Sequence, residues 1–427
     1  MPGSVGPRRG VADDSPRPAL LDSGHGRNRG TAAPGPGHRR HPHQARGRPP
    51  DPAGGPDPSN VPLRADEAFD VSGTGSSRFD DTPFIRACRG LPVEHVPVWF
   101  MRQAGRALPE YRAARGSGSI LEAIARPELV ARLTRQPVDR YGTDAAIFFS
   151  DIVVPVAAIG FGVDVAPGTG PVVDRPFAGP RDLQRLRPLE PERDTPYVID
   201  AVRLLADQLE VPLIGFAGGP FTVASYLVEG GPSKNFTKVK ALMHGAPAVW
   251  HELMERLGAL ALASLRSQLD AGAAAVQVFD SWAGILAPDH YRELVLPTTR
   301  RLFSELADSH PGVPTILFGV GTGELLAPMA TAGSTVVGVD WRVPLDEARR
   351  RVGPGVAVQG NLDPALCLST WEVAAAETRR VLEAAGSQPG HIFNLGHGVL
   401  PETDPGILER VAALVHAEGR AGVEVAA

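Results

Sequence analysis

The sequence predicts an α/β protein, a (β/α)8 barrel of the TIM type in a single domain behind a disordered N-terminal extension. Short apolar runs rich in β-branched and aromatic residues alternate with longer segments of helical periodicity. Eight such runs occur, and they lack the strict polar alternation of half-exposed strands, as expected when both faces of a parallel sheet are covered. An open doubly wound sheet is the alternative, but no glycine-rich dinucleotide fingerprint follows the first run.

The individual elements follow from these two periodicities. The predicted strands are PVWFM (97–101), AAIFFS (145–150), PLIGFAG (212–218), AVQVFD (275–280), PTILFG (314–319), VVGVD (336–340), VAVQG (356–360) and HIFNLG (391–396). Apolar positions at three- and four-residue steps predict amphipathic helices between them. The clearest helical segments are 120–141, 251–272, 344–352, 372–386 and 406–419.

The first 75 residues have a different composition from the rest of the chain. They are rich in Pro, Gly, Arg and His, and the first aromatic residue is Phe69. Such a segment buries too little apolar surface to offset the entropy of ordering it, so we predict that residues 1–75 are disordered and that residues 76–427 form the globular domain. The extension is either dispensable or the product of a start codon assigned too far upstream, although a basic tail could also bind an acidic partner.

Bulk composition excludes several classes of function. The formal net charge of -5 gives no support to general binding of nucleic acid or membrane surfaces. No apolar run is long enough to span a bilayer. Cys88 and Cys367 are far apart and lack metal-ligand spacing, which fits a reducing cytoplasm.

Polar residues follow the predicted strands at the end where a barrel carries its active site. Arg102, Asp151, Ser281 and His397 stand at or just after strand ends, and Tyr226 lies in the segment that follows the third strand. Each has an ordinary structural alternative. Arg102 could form a structural salt bridge, and Asp151 and Ser281 could cap helices. His397 could have its hydrogen bonds satisfied within the fold, and Tyr226 could be a core residue. We expect all five side chains to converge on one mouth because they fall on the same predicted face.

The chemistry of this set points to an anionic substrate. Arg102, Arg106, Arg112 and Arg115 gather after the first strand, and guanidinium groups bind carboxylates through two parallel hydrogen bonds. We expect a small molecule with several carboxylates. We further expect Asp151 to be held ionised by its arginine neighbours and to stabilise a cation in the transition state. The set contains neither a cysteine–base pair, a metal-ligand cluster nor a phosphate loop, so no cofactor and no metal are predicted.

The motifs carry a family resemblance from about Phe79 to the C-terminus. PVWFMRQAGRALPEYR and GFAGGPFTVASYLVEGG resemble the two signature stretches of the uroporphyrinogen decarboxylase family, and FSD, FDSWAG, QGNLDP and NLGHG follow in the family's order and spacing. The first stretch is highly specific. Gly219 departs from the family, which more often has alanine there.

The resemblance implies a carboxy-lyase on a (β/α)8 barrel that works without a cofactor. It would convert the four acetate side chains of uroporphyrinogen III to methyl groups, giving coproporphyrinogen III in haem biosynthesis. By the same resemblance Asp151 contacts the pyrrole N–H groups and stabilises the cationic ring. The other residues implied at the substrate are Arg102, Gln103, Ala104, Gly105, Arg106, Tyr226, Ser281 and His397, with Arg115 as a further carboxylate ligand, and Arg102 and Tyr226 count with Asp151 as catalytic. A cytoplasmic homodimer is also implied.

Two other functions remain as alternatives. A zinc-dependent methyltransferase of similar barrel architecture would need a cluster of His and Cys ligands. A non-catalytic carrier of tetrapyrroles or polyanions would keep the arginines but would not need a carboxylate at the centre. Zinc analysis tests the first alternative and a turnover assay tests the second.

Overall fold

A computed structural model describes residues 77–166 and 168–420. The predicted extension, residues 1–75, therefore lies outside the described residues. Within them, no helix is both long enough and apolar enough to cross a membrane.

A curled, wholly parallel sheet of seven strands forms the centre of the fold, in the order β1-β4-β5-β6-β7-β8-β9, and β2 and β3 form a separate antiparallel hairpin. The strands are β1 (Ala146–Ile147), β2 (Val163–Ala166), β3 (Gly170–Val173), β4 (Leu213–Gly218), β5 (Ala275–Phe279), β6 (Thr315–Phe318), β7 (Val336–Gly338), β8 (Ala357–Gln359) and β9 (His391–Ile392). Almost all their residues are buried outside the hairpin. Seven of the eight predicted strands are thus present, each of them shorter than predicted.

Helices connect successive strands and cover the sheet. They are α1 (Pro83–Cys88), α2 (Pro109–Arg115), α3 (Ile120–Ile124), α4 (Pro127–Tyr141), α5 (Val154–Ala158), α6 (Pro191–Asp194), α7 (Pro196–Gln208), α8 (Pro220–Glu229), α9 (Thr237–Gly245), α10 (Pro247–Asp270), α11 (Pro288–Leu294), α12 (Leu296–Ser309), α13 (Leu326–Ala330), α14 (Leu345–Val352), α15 (Trp371–Ala385) and α16 (Pro405–Glu418). Short 3₁₀ helices span Pro180–Arg185, Ala283–Ile285, Gly323–Leu325 and Pro364–Leu368. Long helices occupy all five segments predicted from periodicity.

Proline sets many of the helix starts. It stands at the first or second position of α4, α7, α8, α10 and α16, where its missing N–H costs no hydrogen bond and its fixed φ suits the helix. The same rule corrects the prediction of one helix over 120–141. Pro127 disfavours a helical conformation at Arg126, so the segment divides there into α3 and α4.

The first predicted strand, 97–101, is not a regular strand of this sheet. Val98 forms an isolated parallel bridge with Phe393, and the N–H of Phe393 donates to the carbonyl of Pro97 at 2.8 Å. On the other side the N–H of Asp144 donates to the carbonyl of Val98 at 2.8 Å. This segment therefore bonds to chain adjoining both edge strands, β9 and β1.

Buried polar side chains meet inside the curled sheet. The indole N–H of Trp99 donates to Oε1 of Gln359 at 3.0 Å, and Nε2 of Gln359 donates to Oε1 of Gln277 at 3.1 Å. Nε2 of Gln277 lies 3.9 Å from the sulfur of Met101. These side-chain contacts connect β5, β8 and the 97–101 segment, and they therefore fix how far the sheet curls. The strand pattern alone did not predict these contacts.

A cluster of three side chains, His95, Asp144 and His416, ties the N-terminal ends of the strands together. Nε2 of His95 lies 2.9 Å from Oδ1 of Asp144, and Nε2 of His416 lies 2.7 Å from Oδ2. The N–H of Val98 also donates to Oδ2 at 2.7 Å. The cluster, here called the His–Asp–His latch, joins the chain before β1 to the chain before Val98 and to α16, at the end opposite the predicted active site.

The latch should make stability depend on pH. The hydrogen bond with Asp144 raises the pKa of His95 above 6.5. A raised pKa stabilises the fold fully below the unfolded value and ceases to do so as pH rises through the folded value. We expect His95→Gln to lower the free energy of unfolding by about 1–2 kcal/mol near pH 6 and by less near pH 8.5, because glutamine keeps a neutral donor.

Urea unfolding at both pH values measures the difference. His251→Gln, at an exposed position on α10, is the matched control and should show little effect at either pH. An equal loss for His95→Gln at both pH values would mean that protonation of His95 does not stabilise the fold.

Candidate active site

Arg102 stands on a tight turn at the carboxyl end of the sheet. Its φ of +59° lies in the left-handed region that L residues rarely adopt. The turn is held by its neighbours: the N–H of Met101 donates to Oδ1 of Asn394 at 2.9 Å, and that of Gln103 donates to the carbonyl of Phe100 at 2.9 Å. The buried side chain of Gln103 closes the turn by accepting the N–H of Phe100 at 3.0 Å.

The side chain of Arg102 lies across Gly398. A Cβ on Gly398 would stand 2.4 Å from Cδ and 2.8 Å from Cγ of Arg102. These distances are far below van der Waals contact, so only glycine leaves room for the arginine in this position. Gly105 has a similar relation to the turn, since its Cβ would lie 2.8 Å from the carbonyl oxygen of Arg102.

Gly398→Ala should therefore displace Arg102 without unfolding the protein, since Gly398 is not among the glycines with positive φ. If Arg102 acts on substrate, we expect kcat/KM to fall roughly 10-fold or more, as for loss of one charged hydrogen bond. The melting temperature and kcat/KM measured on one preparation test this. Gly245→Ala, on α9 with no atom within 4 Å of its new Cβ, is the control. Parental activity in a folded Gly398→Ala protein would contradict the expectation.

Asp151 follows β1 and faces the same mouth. Its Oδ1 accepts the N–H of Val153 at 3.1 Å, so the carboxylate also supports the turn that leads into α5. Burial raises the pKa of Asp151, while the N–H of Val153 and the charge of Arg102 act to lower it. Desolvation therefore has the larger effect on this pKa, and the charge of Arg102 acts in the expected direction, toward the ionised form.

Tyr226 lies on α8 beside Trp282, with ring centroids 4.0 Å apart. Burial and the charge of Asp151 raise the pKa of Tyr226 to about 12, and Arg102 acts against this rise. The phenol is therefore neutral near pH 7 and can donate a hydrogen bond. Both charges act on the phenol, so Asp151 and Arg102 lie within electrostatic range of Tyr226.

His397 follows β9 and is neutral near pH 7. Burial and the charges of Arg102 and Arg342 lower the pKa of His397 to about 4, against the opposing effect of Asp340. Nδ1 accepts the N–H of Gly398 at 2.7 Å. Because a backbone N–H can only donate, the proton of the neutral ring must be on Nε2, which is then a hydrogen-bond donor.

The loop after β7 adds a second arginine that the sequence reasoning missed. The carboxylate of Asp340 accepts two hydrogen bonds from Arg342, one from the backbone N–H at 3.0 Å and one from Nη1 of the side chain at 2.6 Å. The guanidinium of Arg342 lies over the ring of Trp341, 4.0 Å from its centroid. The sequence contained a signal, because VVGVDWR places these residues directly after a predicted strand.

Asp280 and Ser281 directly follow β5 and differ in their surroundings. Burial raises the pKa of Asp280 to about 6, although its Oδ1 accepts the N–H and hydroxyl of Thr222 at 2.9 and 2.7 Å. A Cβ on Gly219, the position that departs from the family, would lie 2.5 Å from Cβ of Asp280, so this backbone has no room for alanine there. Ser281 is half-buried, and its carbonyl accepts the N–H of Val320 at 3.3 Å.

The two other predicted carboxylate ligands of the first motif, Arg106 and Arg115, lie near Tyr111 of α2. Arg106 is exposed, and its charge and that of Arg115 lower the pKa of Tyr111 against the dominant effect of burial. Arg115 donates to the carbonyls of Gly116 and Gly118 at 3.0 and 2.7 Å. The structure thus groups Arg106 and Arg115 around α2, a few residues along the chain from Arg102.

The backbone predicted to line the first loop is partly engaged within the fold. Gln103 is buried, and Nε2 of its side chain donates to the carbonyl of Ala145 at 3.2 Å. Ala104 and Gly105 are half-buried beside it. Of the predicted residues, the structure links Arg102 electrostatically with Asp151, Tyr226 and His397.

Some known proteins resemble this chain in sequence, and others resemble it in fold. The uroporphyrinogen decarboxylase (URO-D) family model matches residues 80–418. A uroporphyrinogen decarboxylase of Salinispora tropica is 61% identical over 337 residues, covering 79% of this chain and 90% of that protein. A uroporphyrinogen decarboxylase of Thermobifida fusca is 57% identical over 344 residues, covering 80% of this chain and 94% of that protein. Among solved structures, a methyltransferase from Methanosarcina mazei has a TM-score of 0.64 at 21% identity, covering 78% of this chain and 97% of that one, and at this identity the likeness concerns the fold alone.

Proposed function

The chain belongs to the uroporphyrinogen decarboxylase family, and we propose that it converts uroporphyrinogen III to coproporphyrinogen III and four CO2 in porphyrin and haem biosynthesis. One observation carries the proposal: the guanidinium of Arg102 acts electrostatically on a half-buried carboxyl, a neutral phenol and a neutral imidazole, those of Asp151, Tyr226 and His397. This set can bind a polycarboxylate and stabilise a cation at its centre.

The reaction needs an electron sink, and the substrate supplies one. Protonation of a pyrrole ring carbon makes the ring cationic, the acetate arm then loses CO2, and the bonding electrons return to the ring. A second proton on the methylene carbon and release of the ring proton complete the change from –CH2–COO⁻ to –CH3, with one net proton consumed. Asp151 stabilises the cationic ring electrostatically and accepts hydrogen bonds from the pyrrole N–H groups, which favours its ionised form.

Carboxylate recognition falls to the surrounding residues. Arg102 and Arg106 bind substrate carboxylates, with Arg115 as a further ligand, and Tyr226, Ser281 and Nε2 of His397 donate hydrogen bonds. Ala104 and Gly105 line the loop through their backbone. The buried hydrogen bonds of Gln103 support its role in holding the Arg102 turn.

The wider architecture is part of the same proposal. Residues 97–101 form the eighth strand of a closed (β/α)8 barrel, which is supported by their hydrogen bonds next to both edge strands. Residues 76–427 form the catalytic domain, and residues 1–75 are a disordered extension. The enzyme is a cytoplasmic homodimer that binds neither nucleic acid nor membranes, and light scattering during size-exclusion chromatography tests its assembly.

The residues present fit this reaction better than zinc-dependent methyl transfer. Burial raises the pKa of Cys88, and raises that of Cys367 to about 12, which disfavours the thiolates that zinc requires. Among the described residues, the group with metal-ligand proximity is the His–Asp–His latch. It lies at the N-terminal ends of the strands, away from the mouth that holds Asp151.

Incubation of the full chain with uroporphyrinogen III under anaerobic, reducing conditions tests the proposal. The products are oxidised and separated by carboxylate number, and we expect conversion from eight carboxylates to four. A parallel sample treated with a metal chelator should react at the same rate. Tight binding without conversion would favour the carrier alternative, and loss of activity with the chelator would favour a metal-dependent enzyme.

A further inference from the structure

We propose that Arg342 binds a propionate carboxylate of the substrate together with His397, so that the loop after β7 forms a propionate subsite. This inference rests on the proposed function, and it concerns a residue of this chain that lies outside the signature motifs. The subsite would act on side chains that the reaction leaves unchanged.

Contacts between loops place Arg342 next to His397. A Cβ on Gly396 would lie 2.4 Å from the backbone nitrogen of Trp341, so the loop after β7 packs directly on the residue before His397. The rings of Trp341 and His397 are 6.5 Å apart and nearly perpendicular. On the other side of His397, Gly398 lies against Arg102. The two arginines thus flank the imidazole.

The guanidinium of Arg342 is fixed in position by its neighbours but remains accessible to solvent. Asp340, whose side chain is 1% exposed, pairs with Nη1 of Arg342 at 2.6 Å, while the Arg342 side chain remains 50% exposed. Asp340 is itself fixed by the N–H of Gly321 and by that of Arg342. The planar guanidinium of Arg342 is oriented by the bond from Nη1 to Asp340 and by stacking on Trp341. It is therefore preorganised to bind a carboxylate through its remaining N–H groups.

The position favours a propionate over an acetate. The charge of Arg342 acts on His397, whereas Arg102 is the arginine that acts on Asp151 and Tyr226. The Arg342 side chain is also 50% exposed, which places it toward the rim of the mouth. The propionates persist through all four steps, so a ligand at the rim can hold the macrocycle throughout.

The test uses a molecule that retains the propionates and lacks the acetates. Coproporphyrin III, the oxidised form of the proposed product, is titrated into the full chain and its fluorescence is followed. We expect Arg342→Gln to weaken binding roughly 5- to 30-fold, and to raise KM for uroporphyrinogen III by a similar factor with little change in kcat, because the contact is the same in every state of the reaction. Partly decarboxylated intermediates should not accumulate selectively.

Two further variants keep the result interpretable. Arg342→Lys preserves the charge beside Asp340 but not the fork, and should fold as the parent does while binding coproporphyrin III at least several-fold more weakly. Arg380→Gln removes an exposed charge from α15 and should bind like the parent. Parental binding by folded Arg342→Gln and Arg342→Lys proteins, or no binding by the parent, would overturn the subsite. A parent that binds coproporphyrin III but leaves uroporphyrinogen III unchanged would instead overturn the proposed function.

Discussion

Asp151→Asn should lower kcat by about 100- to 1000-fold while the protein stays folded. The variant separates the two roles of this residue. Asparagine keeps an Oδ1 that can accept the N–H of Val153, so the turn before α5 survives. What is lost is the negative charge that, in the proposed mechanism, stabilises the cationic pyrrole ring.

Turnover of uroporphyrinogen III and the melting temperature, measured on the same preparation, check this expectation. Asp404→Asn is the matched control, because Asp404 is exposed and makes the same local bond, to the N–H of Gly406 at 2.9 Å. It should leave turnover unchanged. Near-parental turnover by Asp151→Asn would mean that Asp151 only supports the turn before α5.

Arg102→Lys should lower kcat/KM by about 10- to 150-fold, the loss expected for one charged hydrogen-bonding partner. Lysine retains the charge but lacks the planar fork that binds a carboxylate at two points. Since each decarboxylation removes one carboxylate from the substrate, the later steps have fewer anchors and should suffer most. Intermediates with seven, six and five carboxylates should therefore accumulate.

The left-handed backbone at Arg102 does not confound this comparison, because lysine and arginine have the same cost there. Arg380→Lys is the control, because Arg380 is an exposed residue of α15 that pairs with Glu377, and it should leave kcat/KM and the product profile unchanged. A destabilised Arg102→Lys protein with a normal product profile and normal kcat/KM per folded molecule would mean that Arg102 is structural.

Charge at Arg102 should also set the acidic limb of the pH profile. Because Arg102 lowers the pKa of Asp151 against burial, its removal in Arg102→Gln should raise that pKa further. The acidic limb of kcat/KM against pH should then move to higher pH, since more alkaline conditions are needed to ionise the carboxyl. In Arg102→Lys the limb should move less.

Local sequence patterns were sufficient for the order of elements and for much of the candidate site. The strand and helix periods depend on neighbouring residues alone, so they located seven strands of the sheet and the principal helices. The positions of polar residues after strands made Arg102, Asp151, Tyr226 and His397 candidates, because parallel strands bring their carboxyl ends to one edge. The same logic extended to VVGVDWR would have found Arg342.

Tertiary structure decided what depends on distant residues. Segment 97–101 can pair next to both edge strands only because the sheet curls. The hydrogen bond between Gln277 and Gln359 also requires that curl. Which arginine meets Asp151 depends on the turn held by Asn394 and on the space left by Gly398. The pKa of Asp151 follows from burial, and burial is a property of the whole packed chain. The sequence by itself thus determined the elements and the residue types at the mouth, whereas only the fold decided their neighbours, their solvation and hence their charge.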